Sequence, residues 1–123
     1  MAIPSTAKVF TQSLDPHELL DFQIVLSDLL EDGETVDDME WTLEVLAEGA
    51  ALGLTIMEGS ARDPVLEVGG EKVTFWLTVD DSYKANAAFD GAGTKLPLRI
   101  TARTTASPYR LRQRTFQVTV VQQ

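Results

Sequence analysis

The sequence predicts an all-β chain, and three observations support that reading. Apolar and polar residues alternate strictly in four separate segments, the gaps between segments carry turn residues, and no apolar period near 3.6 runs between them. Successive side chains of a strand point to opposite faces, so each alternating segment reads as a half-buried strand.

The elements follow in order. A short run at residues 7–11 leads to the turn pair Asp15-Pro16. Leu20, Phe22, Ile24 and Leu26 then share one parity against Asp21, Gln23 and Val25. Asp32-Gly33 reverses the chain, and Met39, Trp41, Leu43 and Val45 alternate with Glu40, Thr42 and Glu44. "LAEGAAL" (Leu46 to Leu52) lacks period two and reads as a loop with room for one helical turn. Short strands are expected at 52–57 and 65–68, followed by a Gly69-Gly70 hairpin. Val73, Phe75, Leu77 and Val79 alternate with Thr74, Trp76 and Thr78, which turns Trp76 outward. The Ala-, Gly- and Asp-rich stretch from Asp80 to Thr94 reads as a second long loop. Leu96, Leu98, Ile100 and Ala102 form the next inward set, and Ser107-Pro108 turns the chain into a last strand over 110–121. Parity slips there between Leu111 and Phe116, which predicts a bulge.

Strands at this spacing fit an immunoglobulin-like antiparallel β-sandwich of seven or eight strands. It is expected as a single domain over 1–123, with loop insertions near 46–52 and 80–94. Its expected core is Phe22, Ile24, Trp41, Leu43, Phe75, Leu77, Ile100, Phe116 and Val118.

Composition narrows the function classes. The chain has 123 residues, no cysteine and one histidine, so disulfides, thiolate zinc sites and thiol catalysis are excluded. The first twenty residues hold a lone Lys8 and no apolar block of signal-peptide length, and no 18-residue apolar run is present. The reading is a soluble chain made and used without export. A net charge of −9 argues against a nucleic-acid or anionic-membrane partner, because a phosphate-facing surface needs a basic footprint. Charge is also uneven. Residues 1–60 carry thirteen acids against Lys8, whereas residues 61–123 carry six acids and nine bases.

Seven carboxylates fall between Asp28 and Glu40, which raises the question of a calcium loop. Aligning Asp28, Asp32 and Gly33 with positions 1, 5 and 6 of the twelve-residue template puts Leu30 at 3 and Met39 at 12, so the match fails. The simpler reading is a connection between strands: Ser27 caps a helical turn, Leu29 or Leu30 plugs the core end, and the acids face solvent or a partner. A serine triad would have to use His17, which "DPHE" places in a turn. Acids abound, but nothing positions two of them as an acid–base pair. "GGEK" precedes no helix and is no phosphate loop. No enzyme, metal or cofactor is expected. Arg99, Arg103, Arg110, Arg112 and Arg114, with Tyr109 at the tip, make a basic closing hairpin suited to meet carboxylates of the chain's own acidic loop or of a neighbour.

"DPHELLDFQIVLSDLLEDGETVDDMEWTL" resembles a pattern of small tailed-phage virion proteins, the fiber-tail adaptors. The matching pieces are Asp15-Pro16, Ser27-Asp28-Leu29-Leu30, Asp32-Gly33-Glu34-Thr35, Trp41-Thr42, Gly53-Leu54-Thr55-Ile56 and Phe75-Trp76-Leu77, with "TARTTASPYRLRQRTFQVTV" similar to a closing hairpin. The resemblance covers most of residues 14–121 and departs at 46–52 and 80–94, where this chain is longer. It implies an immunoglobulin-like sandwich in a virion, with a joining or scaffolding role, no catalysis, and multiple copies in a symmetric assembly with other virion proteins. Expected interface residues are Trp76, Tyr83, Phe89, Tyr109, the five arginines, Asp28, Glu31, Asp32 and Glu34. Two rival readings are a capsid decoration protein and a carbohydrate-binding sandwich. The latter would use a row of exposed aromatics, for which only Trp41, Trp76, Tyr83 and Tyr109 are available.

Overall fold

A computed structural model describes residues 7–31, 34–67, 72–105 and 107–123, with the side chains of Asp28, Asp37, Asp38, Met39 and Ser60 left aside. Its strands are β1 (Lys8–Val9), β2 (Leu20–Val25), β3 (Val36–Val45), β4 (Leu54–Ile56), β5 (Val65–Leu66), β6 (Lys72–Val79), β7 (Thr94–Thr104) and β8 (Leu111–Val120). They form two sheets, β1-β8-β7-β3 (sheet A) and β2-β6-β4, with β5 also on β6 (sheet B). Placing β3, β7 and β8 opposite β2, β6 and β4 is the C-F-G against B-E-D arrangement of an immunoglobulin-like sandwich. Sheet A is mixed, because β1 pairs with β8 in parallel, Lys8 beside Phe116. The expected antiparallel sandwich holds for the other strand pairs, and β1 adds a parallel edge to it: a lone strand preceding β2 can close against either sheet, and local pattern does not say which.

Alternation places the core. Phe22 and Ile24 of β2, Val73, Phe75, Leu77 and Val79 of β6, Leu96, Leu98 and Ile100 of β7, and Phe116, Val118 and Val120 of β8 are all buried in one cluster. Phe10, Phe22, Phe75 and Phe116 meet across the two sheets with ring centroids 5.4 to 6.1 Å apart, within the range of favourable aromatic pairs. Trp41 and Leu43 pack against this cluster but are only partly buried. They lie on β3, an edge strand of sheet A, which among the described residues pairs only with β7.

The expected bulge in β8 is absent. One register holds from Thr94 beside Val120 to Arg103 beside Leu111. Arg112 and Arg114 therefore share the inward parity of Phe116, toward the hairpin end of β8. The irregularity lies instead on β3, where the span Val36 to Trp41 passes against only Thr104 to Ala102 of β7. The turn after β2 is a 3-10 helix over Leu26–Asp28 that no side chain caps, so Ser27 lies within it rather than capping it. Leu26 and Leu29 are buried there and close the end of the core. The Asp32-Gly33 and Gly69-Gly70 turns fall outside the described residues.

Both long connections are built rather than loose. Residues Ala47–Ala50 form one helical turn (α1), with Leu46 buried beside it. Between β6 and β7 lie two 3-10 turns, Asp81–Tyr83 and Ala87–Phe89, capped by the Asp80 carboxylate on the Ser82 amide and the Asn86 carbonyl on the Ala88 amide. The second turn drives Phe89 fully into the core, which removes it from the expected interface. Gly93 (φ 73°) lets the chain enter β7 close against Val120 and Val121.

Truncating Phe89 to Ala is expected to cost about 3–5 kcal/mol, as for other fully buried phenylalanines. Trp41→Ala should cost less, because its ring is only partly covered. Chemical denaturation of the two variants checks the order.

Candidate functional site

The charged end of the sandwich is where sequence-distant groups meet. Arg112 sits on the inward face of β8 beside Ala102 of β7, partly buried, and Glu34 closes over it. Its Nε donates to Glu34 Oε1 at 3.0 Å and its Nη2 to Glu34 Oε2 at 3.1 Å, a two-pronged pair on partly buried groups. Nη2 also lies 3.1 Å from Glu31 Oε1, and Arg110 Nη1 donates to Glu31 Oε2 at 3.2 Å. The backbone is pinned as well: Glu31 N–H donates to Glu34 Oε1 at 2.8 Å, and Glu34 N–H to the Glu31 carbonyl at 3.0 Å. A fork-shaped guanidinium matching a carboxylate holds both charges in one geometry, as a lysine point charge would not.

Of the expected interface residues, the structure thus brings together Glu31, Glu34, Arg110 and Arg112, and it does so within one chain. The side chain of Asp28 and all of Asp32 lie outside the described residues. Arg114 is exposed and donates to the Gln113 carbonyl. Arg99 and Arg103 lie on the opposite, outer face of sheet A. Arg99 reaches Glu44 across the β3–β7 pair at 3.7 Å, and the Arg103 guanidinium lies 3.8 Å above the Tyr109 ring centre. Tyr109 and Leu111 are exposed on that face.

Trp76 points outward from sheet B, as parity requires, and is half-buried. Phe89 lies in the core and Tyr83 on Gly53, so neither of these two expected interface residues sits with Trp76. Arg62, in the 3-10 turn before β5, lies 5.1 Å above the indole, a cation–π contact. Tyr83 packs instead on Gly53 (φ 82°), where a Cβ would stand 2.6 Å from the ring. Val25 and Val65 are exposed on the same outer face as Trp76. Nothing in "GSARDP" announces Arg62 as a partner, because the contact depends on how β5 returns to β6.

His17 lies in an exposed turn, as expected. Its neighbour Asp15 is buried and does more than the sequence suggested. Asp15 accepts from the His17 amide at 2.8 Å and from the Gln123 amide at 2.8 Å, while its own amide donates to Glu18 Oε1 at 2.9 Å. The Asp-x-x-Glu spacing of "DPHE" is the visible signal of this reciprocal arrangement. Those amide bonds hold the Asp15 carboxyl below its ordinary 3.8. The Arg112 guanidinium, aided by the Glu31 amide, holds Glu34 below its ordinary 4.5. Among the described residues, no group of three or more His, Asp or Glu could hold a metal.

Comparison with protein-family models, with curated proteins and with solved structures finds no match. The fold therefore defines the chain as an immunoglobulin-like β-sandwich, with a carboxylate–arginine clamp at one end and two unlike outer faces.

Glu34 has a lower pKa folded than unfolded, so its stabilisation is fully present above about pH 4.5 and is lost as pH falls through its folded value. Glu34→Gln is expected to lower the melting temperature at pH 7 and to converge on the parent once the pH has fallen through the folded-state value of Glu34. Thermal melts across that range check it.

Proposed function

We propose that this chain is a non-enzymatic structural protein of a bacteriophage particle, an adaptor that joins other virion proteins through the outer faces of its sandwich and its long loops. The observation that carries the reading is the outer face of sheet B. Trp76 is held under Arg62 with Val25 and Val65 exposed beside it, so the face presents an indole already fixed in place. Trp and Arg are the residue types that dominate binding energy where proteins meet, and an aromatic fixed before contact loses little entropy on docking. Also supporting the reading is the likeness of "SDLLEDGET", "WTL", "GLTI" and "FWL" to the adaptor pattern. The clamp of Arg110 and Arg112 on Glu31 and Glu34 bears on how such a protein would assemble. With those charges satisfied internally, the apolar face contributes more to partner binding than the arginine hairpin.

Density-gradient particles from cells that make this chain are the material for the test. The chain is expected to co-purify with them at a fixed ratio, cross-linked to tail or fiber proteins. Trp76→Ala should reduce incorporation by about tenfold or more while the isolated protein melts within a few degrees of the parent. Particles free of the chain would overturn the proposal. Cross-links confined to the capsid shell would replace it with the decoration reading.

A further inference from the structure

Beyond the protein-joining role, and on the opposite sheet from Trp76, we propose that the outer face of sheet A binds a neutral saccharide. A shallow cup of about 320 Å³ opens there between the β7–β8 hairpin and β3, lined by Glu40, Trp41 and Thr42 of β3, Thr101 and Arg103 of β7, and Tyr109 and Leu111. This volume lies at the lower end of the range for small-molecule sites.

Strand register builds the cup. Thr42 stands beside Thr101, and Thr101 beside Gln113, so two hydroxyls and an amide form a row across three strands, with Thr101 Oγ1 donating to Gln113 Oε1 at 3.3 Å. One step along, Arg103 stands beside Leu111, and Tyr109 rises over Arg103. The guanidinium covers one side of the tyrosine ring and fixes its plane, while the residue as a whole stays 50 % exposed. Leu111 is 67 % exposed on the adjoining wall.

A pyranose ring fits this division of chemistry. Its C–H face can lie on Tyr109 and Leu111, and its equatorial hydroxyls can donate to the Glu40 carboxylate and exchange hydrogen bonds with Thr42 and Thr101. A flat, wholly apolar patch would suit a protein surface better, and a net basic cup would suit a phosphate or an acidic sugar. Here the one cation among the lining residues, Arg103, faces an aromatic ring, and the Glu40 carboxylate lines the same cup. The ligand class that combines an apolar face with a rim of uncharged donors and acceptors is the neutral saccharide.

Saturation-transfer NMR on the full chain, with maltotriose, cellotriose, mannotriose and triacetylchitotriose as probes, tests this. At least one is expected to bind, with a Kd of roughly 10 μM to 1 mM, as suits a small open site. Calorimetry with that sugar should show Tyr109→Ala and Leu111→Glu weakening it about tenfold or more, Tyr109→Phe retaining it within about threefold, and Trp76→Ala leaving it unchanged. Both positions are exposed, and circular dichroism confirms that the variants fold. No transfer from any of the four sugars overturns the proposal, as does binding indifferent to Tyr109→Ala and Leu111→Glu. A virion protein cross-linked to Tyr109 in intact particles would also overturn it and would assign this face to protein contact. None of these results touches the Trp76 test, so the two readings fail separately.

Discussion

Four phenylalanines fix how the two sheets face each other. Phe10 and Phe116 come from the β1–β8 side of sheet A, Phe22 and Phe75 from sheet B, and their rings meet edge-on and stacked between the sheets, with Phe10 partly buried at the β1 side. Once these rings point inward, strand parity settles the rest. Asp21 and Gln23 must face out on β2, Trp76 must face out on β6, and Arg112 must face in on β8. A one-residue slip in any of these strands would pull a phenylalanine from the cluster and bury a charge or an amide in its place.

The inward parity of Arg112 has a cost that the chain settles locally. Strand β8 opens with Leu111, Arg112, Gln113 and Arg114, and none of these four is buried. The connection after β2 supplies carboxylates. Arginine and glutamate far apart in sequence thereby cap the end of the sandwich, each offsetting the other's loss of water. The same pairing tempers the uneven charge of the chain, since its most basic segment folds onto its most acidic one.

Period two made most of this legible. Phe22, Ile24, Phe75, Leu77, Ile100, Phe116 and Val118 are buried where alternation puts them, and Trp76 faces out for the same reason. Illegible features depended on pairing between distant segments. Alternation carries no information about neighbours, so neither the parallel contact of β1 with β8 nor the partly covered position of Trp41 on an edge strand could be read from it. Phe89 sits in a stretch without periodicity, and its burial follows from two capped turns whose direction only the folded chain sets. The apparent parity slip in β8 was a real polar segment on an inward face. At the site, the arginine–carboxylate pairing was foreseeable in kind, since opposite charges sat in facing connections, whereas the Arg62 cover of Trp76 was not.

The topology also bears on how the chain reaches this state. Sheet B is assembled from strands between Leu20 and Val79, so all its partners exist before the last third of the chain is made. Sheet A joins β1 and β3 through β7 and β8, and β1 has nothing to pair with until β8 is present. Contacts between residues so distant in sequence close slowly, because the loop between them must first be ordered. During synthesis sheet B would therefore stand alone for a time, its Phe22 and Phe75 rings open to water. The aromatic cluster is completed only by the arrival of Phe116, which makes the final strand the step that commits the whole sandwich.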